Sequence, residues 1–353
     1  MQHRNKIKIC IIIGARPQFI KHAPIELALQ ENFEIVSVHT GQHYDENMSN
    51  VFFNQLKISK PKYMLSVGSS SHGKQTGQML EKIEEILINE APKAVMVYGD
   101  TNSTLAGALA ASKLLIPLIH IEAGLRSHNK DMPEEVNRII TDHVSDFLFV
   151  SSQLSVDNLC KEGIPERKIF LVGDIMYDSL LLAKEIIGNS PESEKHILLT
   201  LHRPYNTDNP ERLYEILRTL NSIGQSIVFP IHPRTKEAMV KNNIDFEQFQ
   251  NINFCDPVSY FDLIKLQLEA LCIITDSGGI QKEAYLQKKK CITLRSETEW
   301  VETLENGWNT LIFNNLSKIN ESLLSKPGKY VDGIYGDGKS GKRIAKILHK
   351  TLG

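Results

Sequence analysis

Apolar residues along the chain fall into short runs, each ending in a polar loop rich in glycine, with stretches of helical periodicity between them. Ile7–Ile13 is a continuous apolar run, the pattern of a parallel strand buried on both faces. Glu34–His39, Ala94–Tyr98, Leu118–Ile121, Phe147–Val150 and Lys168–Val172 repeat it in the first half. Ile197–Leu201, Ser226–Pro230, Ile252–Phe254, Cys272–Thr275 and Lys290–Leu294 do so in the second. Helices are predicted between them. The segment Gln75–Asn89 carries Met79, Leu80, Ile83, Ile86 and Leu87 on one face. Others are expected from Pro17, over Leu105–Leu115, from Pro133, and over Leu154–Glu162, Glu211–Ile223 and Tyr260–Leu268. Another follows Ser277, and the last spans Lys342–Leu352. The serine-rich stretch Ser66–Lys74 is expected to be a loop.

Alternation of strand and helix in both halves predicts an α/β protein of two doubly wound domains with a cleft between them. The change of domain is placed within Ile175–Glu194, where helical pattern gives way to Gly188-Asn189-Ser190-Pro191-Glu192-Ser193. The expected domains are 1–174 and 175–334, with 335–353 as a terminal loop and helix.

Length and charge narrow the function. With 353 residues, 41% hydrophobic and 23% charged, the chain can build two cores. A net charge of −2 provides no basic field for nucleic acid or an anionic membrane, so any anion must be held by local groups. The first apolar run is too short, and too soon followed by Arg16, for a signal peptide or membrane span, which predicts a cytoplasmic protein. The five cysteines, Cys10, Cys160, Cys255, Cys272 and Cys291, are scattered and mostly set in apolar runs, as expected of core thiols in a reducing compartment. No close pair of histidines has metal-ligand spacing.

The loops that end the strands carry the candidate chemistry. In Thr275-Asp276-Ser277-Gly278-Gly279 a strand feeds a helix through small residues, so free N–H groups and the helix dipole converge where a phosphate would sit. Gly278 and Gly279 let an anion approach the backbone, and Ser277 adds a hydroxyl donor or a cap. A plain capped turn explains the same residues. Arg16 and Lys21 stand near the start of the first helix, where cations oppose the dipole and ask for an anion. Thr40-Gly41-Gln42-His43-Tyr44-Asp45 is a polar, aromatic loop at a strand's carboxyl end. Asp100 and Glu122 end neighbouring strands, and two carboxylates in one layer point to acid–base work, although either alone would serve as a helix cap. Glu134 and Glu135 fit the first turn of a helix without any further role.

Together the motifs resemble the non-hydrolysing UDP-N-acetylglucosamine 2-epimerases. They are Gly14-Ala15-Arg16-Pro17 with Lys21, Thr40-Gly41-Gln42-His43, Gly99-Asp100-Thr101, His120-Ile121-Glu122-Ala123-Gly124-Leu125-Arg126, Pro133-Glu134-Glu135 with Asn137-Arg138, His202-Arg203, and Asp276-Ser277-Gly278-Gly279 with Gln281 and Glu283. The resemblance implies a glycosyltransferase-B-like fold of two Rossmann-type domains, the last helix packing back on the first domain, and a homodimer. It implies interconversion of UDP-GlcNAc and UDP-ManNAc for surface polysaccharides, with no metal or cofactor. In that family UDP is eliminated across C1–C2 and added back through 2-acetamidoglucal. By resemblance Asp100, Glu122 and Glu134 are the acid–base carboxylates, Arg138 orients Glu134, and His202 is catalytic. Arg16, Lys21, Ser277, Gly278 and Gly279 then grip the phosphates and Glu283 meets the ribose hydroxyls.

The chain departs from the pattern of bacterial members at Tyr44-Asp45-Glu46-Asn47, where those members have part of an allosteric activator site, and at Trp300, where they have an arginine near the nucleotide. Thr298-Glu299-Trp300-Val301-Glu302 also occurs in the branch acting on UDP-2,3-diacetamido-2,3-dideoxyglucuronate, whose C5 carboxylate would want a cation. Arg126, Lys130 and Arg234 are the possibilities. A glycosyltransferase on the same scaffold is the rival reading, followed by a hydrolysing relative and a non-catalytic UDP-sugar binder. Three carboxylates around one ring favour the isomerase.

Overall fold

In the first strand, β1 (Ile7–Ile13), Ile9–Ile13 are fully buried, and in β4 (Ala94–Tyr98) every residue is. Such strands stay in place by burying apolar side chains on both faces, about 1.5–3 kcal/mol for each large one. A computed structural model describes residues 6–41, 58–188 and 195–353, with the Arg16 side chain excepted. The loop Gln42–Asn47 and most of the expected linker, 189–194, lie outside the described residues.

The chain divides into two compact units. The first comprises Met1–Leu182 with Gly333–Gly353, the second Ala183–Asp332. In the first, β1 is followed by α1 (Arg16–Leu29), β2 (Phe33–His39), β3 (Tyr63–Met64), α2 (His72–Glu90), β4, α3 (Asn102–Lys113), β5 (Leu118–Ala123) and α4 (Pro133–Val144). Then come β6 (Phe147–Val150), α5 (Gln153–Lys161), β7 (Ile169–Leu171) and α6 (Ile175–Ile187). All pairings are parallel and the strand order is β3-β2-β1-β4-β5-β6-β7. The order reverses between β1 and β4, which is where an open α/β sheet of this kind receives ligands.

The second unit runs β8 (His196–Thr200), α7 (Pro204–Thr207), α8 (Pro210–Asn221), β9 (Ile227–Pro230), α9 (Pro233–Lys241), β10 (Ile252–Cys255), α10 (Tyr260–Leu268) and β11 (Ala270–Thr275). It ends with α11 (Gly278–Leu286), β12 (Cys291–Thr293), β13 (Asn309–Leu311) and α12 (Lys318–Leu324). Its strand order, β10-β9-β8-β11-β12-β13, is again parallel throughout and reverses between β8 and β11. Helix α8 presents Leu213, Ile216, Leu217 and Leu220 to a core that includes Ile197, Leu199, Phe229, Met239 and Ile274.

A final helix, α13 (Ser340–Leu352), returns to the first unit and packs on α1. Asp178 of α6 accepts the Ser340 and Gly341 N–H groups at 3.1 and 2.9 Å, so a carboxylate caps this helix from another part of the chain. A methyl group at Gly341 would lie 2.9 Å from the Pro24 carbonyl oxygen, so the two helices meet at a distance that only glycine allows.

Two local expectations differ from the structure. Helix α2 begins at His72, inside the stretch expected to be a loop. Gln75 donates to the Gly68 carbonyl at 3.0 Å and accepts from Asn102 at 2.8 Å, which ties down a helix start that Gly73 alone would disfavour. Helix α3 runs over 102–113 instead of 105–115, because Thr101 caps it by accepting the Thr104 N–H, and Leu115 then turns to φ +57°.

Candidate active site

The cap at Thr101 settles what Asp100 is not. The neighbouring residue does the capping, and the Asp100 carboxylate, 30% exposed, receives the Arg138 guanidinium from α4. The same guanidinium donates to Glu135 at 2.8 Å. Glu135 is almost wholly buried and also accepts from the Ser127 N–H, the Ser127 hydroxyl and the His128 N–H, each at 3.0 Å. Burial alone would raise its carboxyl, but the Ser127 N–H, Arg138 and the other donors outweigh it and hold it below the usual range. The expected partnership of Arg138 was with Glu134; the bonds described for Arg138 run to Asp100 and Glu135, while Glu134 lies half-buried in the first turn of α4.

One strand over, Lys21 from α1 donates to Glu122 at the end of β5. The Glu122 side chain is 8% exposed and its backbone takes φ +70° where the register with β6 shifts. That conformation is uncommon for a residue with a side chain and re-aims it. Gly99, immediately before Asp100, has φ +61°, and a methyl group on it would stand 3.3 Å from the Glu122 Oε2 and 3.7 Å from the Lys21 Nζ. One carboxylate thus stands against Gly99 and the other belongs to the residue that follows it, each backed by its own cation.

Gln18 was not singled out in the sequence, yet it joins the two central turns of this unit. Its carbonyl oxygen accepts the Gly14 and Ala15 N–H groups at 2.7 and 3.1 Å, and its amide nitrogen donates to the Tyr98 carbonyl at 2.8 Å. The N–H groups of Gly14 and Ala15 are thus used by the protein itself. The side chain of Arg16 is outside the described residues.

In the second unit the centre is Asp276, wholly buried at the end of β11. It accepts the His202 N–H at 3.1 Å, the Arg203 N–H at 3.0 Å and the Asn206 amide at 3.2 Å, and the His202 Nδ1 lies 3.2 Å away. Burial would raise its carboxyl, but His202, the Arg203 N–H and Asn206 together lower it. A buried carboxylate fastens the loop after β8 to the loop after β11, and so fixes His202 beside the start of α11. The Ser277 hydroxyl makes no cap bond there, which leaves the first-turn N–H groups of α11 as the ordinary orphans of a helix start. Gly279 is exposed with open space around its Cα, whereas a methyl group at Gly278 would run into Glu299, which pairs with Arg295 at 3.0 Å. Glu283 is 4% exposed and accepts from Gln267 at 2.8 Å. Trp300 lies under the buried Lys282 ammonium, 3.7 Å from its ring centre.

Of the cations considered for a sugar carboxylate, Arg126 is buried and held by Glu162 at 2.6 and 2.7 Å and by Asp142 at 2.8 Å. Arg234 is paired with Asp208 at 2.7 to 3.2 Å.

Two parallel, doubly wound units with polar groups gathered at both strand-order reversals define an α/β protein of the glycosyltransferase-B-like class. Residues 25–349 match the family model described as UDP-N-acetylglucosamine 2-epimerase. A homologue of UDP-N-acetylglucosamine 2-epimerase from Methanococcus maripaludis is 46% identical, over 97% of this chain and 99% of its own length. The UDP-2,3-diacetamido-2,3-dideoxy-D-glucuronate 2-epimerase of Pseudomonas aeruginosa is 47% identical, over 98% of this chain and 100% of its own. The crystal structure of Methanocaldococcus jannaschii UDP-GlcNAc 2-epimerase in complex with UDP-GlcNAc and UDP superposes with a TM-score of 0.89 at 43% identity, covering 98% of this chain and 100% of that one. The chain belongs to the UDP-N-acetylglucosamine 2-epimerase family.

Proposed function

We propose that this protein interconverts UDP-GlcNAc and UDP-ManNAc. The observation that carries the reading is the pair of cation-backed carboxylates, Glu122 with Lys21 beside Gly99 and Asp100 with Arg138 at the next residue. The C2–H of a sugar nucleotide has no adjacent carbonyl, so its direct removal as a proton would leave an unstabilised carbanion. Elimination avoids this. The C1–O bond breaks with its electrons going to UDP, the C2–H electrons form the C1–C2 double bond, and a carboxylate takes the proton. UDP then returns to C1 as a proton is delivered to the other face of C2. In this reading Asp100, Glu122 and Glu134 move the protons. Arg138 holds Asp100, and Lys21 holds Glu122. The Ser277-Gly278-Gly279 helix start, Arg16 and His202 receive the charge of the departing diphosphate, and Glu283 takes the ribose hydroxyls.

The test is proton NMR of the purified protein with UDP-GlcNAc in D2O. UDP-ManNAc carrying deuterium at C2 is the expected product. Free ManNAc would instead indicate a hydrolysing enzyme. The P. aeruginosa relative gives a second reading, with the diacetamido uronate nucleotide as substrate, tested in a parallel tube. Arg126 and Arg234 are engaged by carboxylates, which leaves the exposed Lys130 as the cation for a sugar carboxylate in that reading. Silence with both nucleotides would move the assignment to a glycosyltransferase. We also propose a cytoplasmic homodimer, to be checked by fractionation and by light scattering; no described helix is long and apolar enough to cross a membrane.

A further inference from the structure

His120 and Asp142 have no part in the reaction as written, yet both side chains are wholly buried next to it. His120 stands on β5 two residues before Glu122. Its Nε2 is 2.8 Å from the Gly99 carbonyl oxygen and its Nδ1 is 2.7 Å from the Asp142 Oδ1. A carbonyl only accepts, so Nε2 carries a proton and donates to Gly99. The second Asp142 oxygen accepts the Gly124 N–H at 3.1 Å and the Arg126 guanidinium at 2.8 Å, and Arg126 is held in turn by Glu162. Asp142 is thus a fixed anchor and the ring cannot turn without losing bonds at both ends.

That ring decides how a peptide lies. The Gly99 N–H donates to the Ile121 carbonyl at 3.0 Å and its C=O accepts from His120, so β5 grips this glycine from both sides at φ +61°. The next residue is Asp100. Its main-chain carbonyl accepts from Asn137 at 2.9 Å and its carboxylate from Arg138. Asn137, Arg138 and Asp142 all belong to α4, so one helix holds the Gly99-Asp100 turn at three points, the third through His120.

We propose that His120, oriented by Asp142, is a positioning residue that sets the direction in which Asp100 and Glu122 present their carboxylates. The inference rests on the epimerase reading for its kinetic consequence, though not for its structural one.

The test compares His120→Leu, which removes the donor, with His120→Gln, whose amide can still donate to Gly99. Asp142→Asn is the third variant, keeping the shape of the anchor while removing its charge. Each is measured for kcat and KM with UDP-GlcNAc, for UDP affinity by calorimetry, and for amide exchange over residues 99–102. His120→Leu is expected to lower kcat about 100-fold, the scale of a misplaced catalytic group, with KM and UDP affinity little changed. Exchange over 99–102 should quicken, and His120→Gln should restore most of both losses. If His120→Leu does not fold, Asp142→Asn carries the test, with an expected fall in kcat and faster exchange over the same residues. A folded His120→Leu with wild-type kcat overturns the proposal, as does equal loss in the Leu and Gln variants. Absence of turnover by the wild-type protein would count against the epimerase reading. Exchange needs no turnover, and unchanged exchange over 99–102 in His120→Leu, or in Asp142→Asn where that variant stands in, would overturn the positioning role by itself.

Discussion

Asp276 holds His202 from below: its buried carboxylate lies 3.2 Å from the His202 Nδ1 and accepts the N–H groups of both His202 and Arg203. Asp276→Ala leaves those donors unmet in the interior, at about 1–3 kcal/mol each. A loss on the order of 3 kcal/mol in urea unfolding is expected, together with weaker UDP binding. The sign with pH follows from the lowered carboxyl. The unfolded chain binds this proton at a higher pH than the folded one, so the stabilisation is complete above the ordinary aspartate range. It is lost as pH falls through the depressed folded value.

Gly278 and Gly279 should separate folding from binding. A side chain at Gly278 collides with Glu299, and one at Gly279 meets open space. Gly278→Ala is expected to lower the melting temperature. Gly279→Val should leave stability within about 0.5 kcal/mol of the unsubstituted protein while blocking the approach of a phosphate to the backbone. Unchanged UDP affinity in Gly279→Val would remove this helix start from the nucleotide site.

Asp100 and the Lys21–Glu122 pair test the chemistry, and UDP affinity measured beside turnover separates it from the nucleotide grip. Asp100→Asn should nearly abolish epimerisation while calorimetry still detects UDP binding. Lys21→Met leaves the Glu122 carboxylate without its described cation and is expected to reduce kcat at least tenfold. Wild-type rates in Asp100→Asn would take Asp100 out of the reaction.

His39 gives the first unit a different pH dependence. Its ring is wholly buried, its Nδ1 accepts the Gly41 N–H at 2.9 Å, and burial pushes its pKa down to about 4. Below pH 6.5 the unfolded chain takes up a proton that the folded one refuses, so stability falls by up to about 1.4 kcal/mol per pH unit until about pH 4. His39→Gln should flatten the acid limb of a stability–pH curve; His196, also lowered by burial, acts in the same direction, as do the lowered carboxyls of Asp276 and Glu135 further into acid.

Much of this arrangement was legible in the sequence because apolar runs report burial directly. β1, β4 and β6 occupy the residues that their runs mark, and Asp100 and Glu122 appear at strand ends where the pattern puts them. The tertiary partnerships were not legible. Helical spacing puts both Glu134 and Glu135 within reach of Arg138 without choosing between them, and nothing in it says that Arg138 also reaches Asp100 or that Gln18 ties β1 to β4. Asp276 was visible only as part of a motif, since its role depends on N–H groups some seventy residues away in sequence. Strand β13, three residues long, is too short for periodicity to register. The start of helix α9, His232-Pro233-Arg234, reads as a loop in the sequence, and in the structure the His232 ring caps it by accepting the Arg234 N–H at 3.2 Å.

The return of α13 to the first unit has a consequence for synthesis on the ribosome. Pro24 and Asp178, which receive this helix, emerge early, but the helix itself follows the entire second unit. At about 5–20 residues per second, the first unit waits on the order of ten seconds with one flank of α1 uncovered. The second unit, contiguous in the chain, can finish first. The half of the protein that is begun first is therefore completed last.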